Sequence, residues 1–165
     1  MIYRRRRVLL AEIDRQSKFA LMAYDDASAA LVRRDADRFW CSLQAMLAAA
    51  SHLHRLLDWA SDLRAAIGIA KDSPLDDPAL PGAADVVAAL QSWSALQTSD
   101  PSQLSTIGPR AIAEMSPAGC VRCFDPDTAT LTFFGRPLAL TPLLAAIAEI
   151  AHRAQSELQH RREVV

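Results

Sequence analysis

The sequence predicts a mainly α-helical protein, an antiparallel four- to five-helix bundle with a small β-hairpin before the C-terminal helix. Hydrophobic residues make up 51% of the 165 residues, and many of them are alanine or leucine, which favour helices. Apolar residues between 37 and 59 recur every three or four positions, the spacing of one helix face. Between 120 and 134 the spacing changes to the alternation that is typical of strands.

Composition and charge exclude several classes of protein. The formal net charge is −1, so nothing demands nucleic acid or an anionic membrane as a partner. No apolar run approaches the roughly 20 residues that span a bilayer, and residues 1–7 lead into too short an apolar stretch for a secretory signal. The chain has three cysteines and no phosphate-binding glycine loop. We therefore expect a cytoplasmic protein without a cofactor and without a membrane partner.

The chain opens with four consecutive basic side chains, Arg4, Arg5, Arg6 and Arg7. Their charge opposes the positive end of a helix dipole, so we expect residues 1–7 to form a frayed basic arm. The single helical-bundle domain then covers 8–165. The alternative for the arm is nucleic-acid binding through contacts to phosphate groups.

Residues 8–34 and 37–67 are predicted to form the first two helices. Either Asp35 or Asp37 suits the N-cap of the second helix, and Gly68 suits its end. Because only a few residues join them, the two helices should be antiparallel neighbours.

The buried faces of the predicted helices define the candidate core. Phe19 and Met22 are expected beside the buried face of the first helix, and a third helix over 83–96 contributes Leu90 and Trp93. The apolar stripe of the second helix, in the core or at a subunit contact, comprises Phe39, Trp40, Leu43, Met46, Leu47, Leu53 and Leu57. Both Trp40 and Trp93 should be largely buried.

The remaining segments are a loop, the hairpin and the last helix. Residues 97–119 are predicted to form a long loop that could be mobile, with a short helix over 109–115 inside it. Two short strands, 120–124 and 129–134, enclose a turn and form the hairpin. The last helix is predicted over 143–162.

Two pairs of residues are candidates for chemistry. Arg153 and His160 are seven residues apart, almost two helical turns, so both side chains share one face. Such a pair can hold a phosphate and move a proton, as an RNase requires, but it also suits the solvent-exposed side of a terminal helix. Cys120 and Cys123 form a C-x-x-C motif, which both metal sites and redox sites use.

Several short pieces of the chain share their order and spacing with a known family. They are Phe39-Trp40 with 42–50, Leu63-Arg64 with 72–75, and 124–126 with 131–133, Gly135 and 140–143. In this order they resemble a bacterial group of HEPN-like (higher eukaryote and prokaryote nucleotide-binding) helical proteins.

The resemblance implies a four- or five-helix bundle that is usually a homodimer. Active HEPN proteins cut RNA with an R-x4–6-H motif that lies across the dimer interface, and here the motif would fall in the helix over 83–96. Between Lys71 and Arg110, however, the chain has no arginine, lysine or histidine. The resemblance therefore implies the fold, while this departure predicts that the nuclease activity is lost.

We expect a non-catalytic HEPN-like module that acts through dimerisation or through binding of a protein partner. The resemblance implies a bacterial defence or toxin–antitoxin setting. One alternative is an RNA-cleaving or RNA-binding protein that uses Arg153 and His160, with the arginines of the arm. A second alternative is a metal or redox module at Cys120 and Cys123.

Overall fold

A computed structural model describes residues 2–80, 111–116, 119–133 and 136–163. Over these ranges the chain is mainly helical, with one antiparallel sheet before the last helix. The helices are α1 (Ile2–Val32), α2 (Ala36–Trp59), α3 (Ser61–Ala66) and α4 (Leu140–Glu163), with a 3-10 turn at Pro74–Asp76. The strands are β1 (Ile112–Ser116), β2 (Gly119–Asp125), β3 (Thr130–Phe133) and β4 (Arg136–Ala139).

The chain divides into two compact units. One comprises Met1–Asp76 and Leu143–Val165, and the other comprises Asp77–Pro142. Helices therefore build the first unit and the sheet belongs to the second. Among the described helices, none combines the length and the apolar character needed to cross a bilayer.

The frayed arm expected at the N-terminus is wrong for residues 2–7, because α1 already begins at Ile2. Arg6 Nη2 lies 3.5 Å from Asp62 Oδ2, and the guanidinium carbon of Arg5 lies 4.8 Å from the centroid of the Trp59 ring. These contacts give both cations partners at the junction of α2 and α3. Such partners offset the unfavourable interaction of positive charge with the N-terminal end of the helix dipole.

The turn between α1 and α2 settles which aspartate is the cap. Asp35 precedes α2, and its side chain accepts a hydrogen bond of 3.0 Å from the Arg38 backbone N–H. Arg34 takes the left-handed conformation, with φ 59°. Because so few residues join the helices, α1 and α2 run antiparallel and pack along each other. A complete four- to five-helix bundle stays a prediction.

The second predicted helix is interrupted, which corrects its expected extent. α2 ends at Trp59, and Ala60 has the non-helical angles φ −105° and ψ 55°. The chain resumes as α3, which ends at Ala66, and Gly68 follows the C-cap residue Ile67 with a φ of 70°. The Gly68 N–H donates to Ala65 O at 3.0 Å and the Ile69 N–H donates to Arg64 O at 3.1 Å. This pair of hydrogen bonds is a Schellman ending, so the predicted stop at Gly68 is confirmed.

The core of the helical unit is built on α2. Its buried stripe includes Phe39, Trp40, Leu43, Met46, Leu47, Leu53 and Leu57, each 7% exposed or less. Phe39 and Trp40 pack edge to face, with ring centroids 5.0 Å apart. The other helices add Leu10, Ile13, Ala20 and Ala27 from α1 and Ile147, Ile150 and Ala154 from α4. Phe19 and Met22 do not join this core, because their side of α1 has no packed neighbour among the described elements, and they are 50% and 64% exposed.

The predicted hairpin is confirmed and proves to be the centre of a four-stranded sheet. β2 pairs with β3, and the strand order is β1-β2-β3-β4. Phe124, Leu131 and Leu138 lie opposite one another on successive strands and are all buried. The flanking strands were missed: β1 replaces most of the short helix expected over 109–115, and β1 with the start of β2 occupies part of the loop expected over 97–119.

Some predictions lie outside the described residues. They are the third helix over 83–96, with Leu90 and Trp93, and the loop from 97 to 110.

Candidate functional site

Several titratable side chains of the helical unit surround Arg64. The group consists of His54 and Asp58 on α2, Arg64 on α3 and Asp76 in the 3-10 turn, and we call it the Arg64 cluster. Arg64 is only 5% exposed. Its Nη1 donates to Asp76 Oδ1 at 3.0 Å, and its Nη2 donates to Asp76 Oδ2 and to the Ala70 carbonyl. Paired hydrogen bonds of this kind are the strong form of an arginine–carboxylate contact.

The two partners of this ion pair shift each other's ionisation. Hydrogen bonding to Asp76 raises the pKa of Arg64, against the lowering effect of its burial. Burial alone would raise the pKa of Asp76, but the hydrogen bonds and charge of Arg64, the charge of His54 and the Ser73 backbone N–H together hold it below its ordinary value. Both groups are therefore charged at neutral pH.

His54 lies between the two carboxylates of the cluster. Its Nδ1 is 3.2 Å from Asp76 Oδ1, and its Nε2 is 3.5 Å from Asp58 Oδ2. Nδ1 is buried, and its approach to Asp76 does not have hydrogen-bond geometry. The imidazole thus lies close to one oxygen of each carboxylate.

The cluster has some features of a metal site, because His54, Asp58 and Asp76 each offer a ligand atom within 4.8 Å of the others. Both oxygens of Asp76 already accept from Arg64, however. A divalent cation bound there would meet a buried positive charge without an intervening group. The geometry therefore favours a structural ion pair that holds the 3-10 turn against α2 and α3.

Sequence reasoning missed the Arg64–Asp76 pair because its members are twelve residues apart in different elements. No helical or strand periodicity connects them. The available signal was an arginine between apolar residues, Leu63 and Ile67, followed by the acidic connector that contains Asp76.

Arg153 and His160 line one open groove, together with Gly68, His152 and Ser156. Arg153 Nη1 donates to Ile67 O at 3.2 Å and to Gly68 O at 2.6 Å, and its Nε donates to Glu149 Oε1 at 2.5 Å. The guanidinium thus donates to two backbone carbonyls just beyond the end of α3. Carbonyls at the end of a helix lack partners within the helix. His160 is exposed, roughly 10 Å further along the α4 axis.

The arginines of the expected basic arm have local roles where their side chains are described. Arg5 stacks on Trp59 and Arg6 pairs with Asp62, while Arg7 is exposed. The side chain of Arg4 lies outside the described residues. These contacts leave phosphate binding by this stretch a prediction.

Cys120 and Cys123 both lie on β2. Residues three apart in a strand are separated by roughly 10 Å, whereas a disulfide requires Cα atoms within about 7 Å. Cys123 is buried, with 8% of its surface exposed. The strand conformation therefore disfavours a disulfide between them and disfavours a metal ion shared by the two sulfurs.

Comparison of the chain with protein-family models, with curated proteins and with solved structures finds no match.

Proposed function

We propose that this chain is a non-catalytic helical module with a HEPN-like fold that acts by binding another protein molecule. The partner is either a second copy of the chain or a different protein. The resemblance of the sequence to HEPN-like proteins supports a bacterial defence or toxin–antitoxin setting for this binding.

One observation carries the proposal, the exposure of large apolar side chains on one side of α1. Val8 is 63% exposed, Phe19 is 50% exposed and Met22 is 64% exposed. On a helix these positions fall within about 60° of one another, and we call them the α1 outer face. Single exposed apolar residues are ordinary, but several on one helix face indicate a surface that another molecule covers.

The hydrogen bonds that Arg153 and Arg64 already make support a role without catalysis. Arg153 is engaged by backbone carbonyls and by Glu149, and Arg64 is engaged by Asp76 and Ala70. A guanidinium that clamps a phosphate needs free donors directed at the substrate. Either arginine would have to give up structural hydrogen bonds to act on RNA.

The RNase alternative keeps one specific observation in its favour, because Arg153 and His160 do line the same groove. The test is incubation of the purified protein with single-stranded RNA, beside a His160→Ala variant. We expect no degradation by either protein. Degradation by the wild type that disappears in His160→Ala would overturn the non-catalytic proposal.

The binding proposal is tested by paired substitutions on α1. Met22→Asp places a charge on the outer face, while Val32→Asp changes an equally apolar and 84% exposed residue that points roughly 110° away from the centre of that face. We expect Met22→Asp to abolish association, measured by sedimentation for self-association and by pull-down for another partner, and Val32→Asp to retain it. Equal behaviour of the two variants would show that the outer face binds nothing.

A further inference from the structure

The α1 outer face belongs to a regularly spaced row of residues, which we call the seam, and the spacing is the same in both chain directions. The seam positions are separated by four, three, four, three, four, three and four residues, which is the spacing of a coiled-coil stripe. The seam comprises Val8, Glu12, Arg15, Phe19, Met22, Asp26 and Ala29 on α1, and Arg33 in the turn that directly follows it. Seven of the eight side chains are exposed and Glu12 is half-buried. A strip roughly 32 Å long, from Val8 to Ala29, is therefore open on this helix.

We propose that a second copy of this chain covers the seam, with the two α1 helices packed antiparallel about a twofold axis between Ala20 and Leu21. This inference rests on the proposed function, because it names the partner that the α1 outer face binds. In an antiparallel pair with its axis at this point, the numbers of any two residues that face each other add up to 41. Every seam residue therefore faces another seam residue of the partner.

The residues that the axis brings together are chemically complementary. At the centre, Phe19 packs on the partner's Met22, and the symmetry repeats this contact once. In the next layer Arg15 meets the partner's Asp26, so opposite charges flank the apolar centre on both sides. Further out, Val8 lies along the aliphatic stem of the partner's Arg33.

The remaining layer places Glu12 opposite the partner's Ala29, one helical turn from the partner's Arg33. The small side chain leaves room for the Glu12 carboxylate to reach that arginine. Counting Glu12, Arg15, Asp26 and Arg33, the seam carries two negative and two positive charges. It is therefore neutral, and the twofold pairing places each charge near one of the opposite sign.

The charged seam residues are available for new contacts. Arg15 pairs with Glu12 at 2.8 Å and is 59% exposed, and Asp26 lies 3.8 Å from Arg38 and is 65% exposed. Exposed ion pairs of this kind contribute little to stability, so exchanging or sharing them across an interface costs little.

A second copy explains the pattern better than an unrelated partner does. Only an isologous interface requires a surface to complement itself, residue i meeting residue j and residue j meeting residue i. The α1 surface complements itself in this way. Its side chains are positive, apolar, apolar and negative in the order Arg15, Phe19, Met22 and Asp26.

A charge exchange provides the sharpest test of the register. Arg15→Glu and Asp26→Arg each put like charges opposite one another twice, and each should weaken the dimer by about tenfold or more in sedimentation equilibrium. The double variant Arg15→Glu/Asp26→Arg should recover most of the affinity, and Val32→Asp should behave as the wild type. Circular dichroism of each variant checks that α1 remains folded.

A cysteine pairing experiment tests the same geometry without relying on affinity. In a Cys41→Ser background, Phe19→Cys protein mixed with Met22→Cys protein should oxidise to a disulfide-linked mixed dimer in larger yield than either variant alone. Val32→Cys mixed with Met22→Cys is the control and should give little.

The possible outcomes distinguish a failure of the proposed self-pairing from a failure of the proposed function. A wild type that is monomeric at every concentration overturns the self-pairing, yet the proposed function stands if Met22→Asp still removes binding of a different protein. A wild-type dimer that is insensitive to the charge exchange also overturns the pairing and places self-association on another surface. Loss of affinity in both single variants without recovery in the double variant contradicts the antiparallel register.

Discussion

At the scale of single residues, Arg64 is the least expected feature of the chain. A guanidinium that is 5% exposed has lost almost all contact with water, and its charge is tolerated because Asp76 accepts two of its hydrogen bonds. Replacing both members of a buried ion pair with apolar residues is often harmless, whereas removing one member leaves a buried charge without a counter-ion.

Asp76→Asn should therefore lower the free energy of unfolding by about 3–5 kcal/mol, measured by urea denaturation at neutral pH. The control is Asp58→Asn, because Asp58 also lies near Arg64 but its side chain is 62% exposed; it should cost no more than about 1 kcal/mol. Similar losses in the two variants would show that Arg64 does not depend on Asp76.

The same pair predicts how stability responds to acid. The pKa of Asp76 in the folded protein lies below its ordinary value, and in the unfolded chain it returns to about 3.9. Its contribution to the free energy of unfolding is thus complete above the pKa of the unfolded chain. This contribution is lost as the pH falls below about 4 towards the pKa of the folded protein. The urea concentration at the unfolding midpoint should fall more steeply with decreasing pH for the wild type than for Asp76→Asn. Parallel curves would refute the linkage.

At the scale of elements, the end of α3 is held from two directions. Gly68 reverses the chain with a positive φ of 70°, and Arg153 from α4 donates to the carbonyls of Ile67 and Gly68. A Cβ atom at position 68 would lie 2.7 Å from Arg153 Nη1, the mobile end of that side chain. The backbone conformation is therefore the larger obstacle to a substitution here.

Gly68→Ala should destabilise the protein by about 1–2 kcal/mol, because an L-residue with a Cβ atom disfavours this conformation. Gly68→Asn meets the same Arg153 contact but tolerates the positive φ better, so its loss in thermal unfolding should be smaller. Equal losses would instead attribute the cost to displacement of Arg153.

Elements with local signals could be predicted from the sequence. The stripe of α2, the end at Gly68 and the pairing of β2 with β3 each depend on residues that are close in the chain. The break at Ala60 could not be predicted, because alanine is the best helix former and no glycine or proline marks the position.

The missed strands and the missed ion pair have a common physical cause. The segment of β1 has the composition of a helix, and it becomes a strand because β2 provides hydrogen-bonding partners. β4 contains Pro137 and still pairs, since it lies at the edge of the sheet. The Arg64–Asp76 contact likewise arises from tertiary structure, which local patterns do not encode.

At the scale of the whole molecule, the candidate RNA-binding groups and the α1 outer face differ in whether they already have partners. The charged groups that suggested RNA chemistry, Arg153 above all, are engaged in holding helices together. The α1 outer face, in contrast, presents Phe19 and Met22 to solvent. These two observations support our proposal that the protein binds another protein molecule and does not cut RNA.

The most direct measurement is the molar mass in solution by sedimentation equilibrium, for the wild type, Met22→Asp and Val32→Asp side by side. We expect the wild type and Val32→Asp to associate into dimers with the same affinity, and Met22→Asp to be a folded monomer. A Met22→Asp protein that dimerises as tightly as the wild type would contradict the claim that α1 carries the interface.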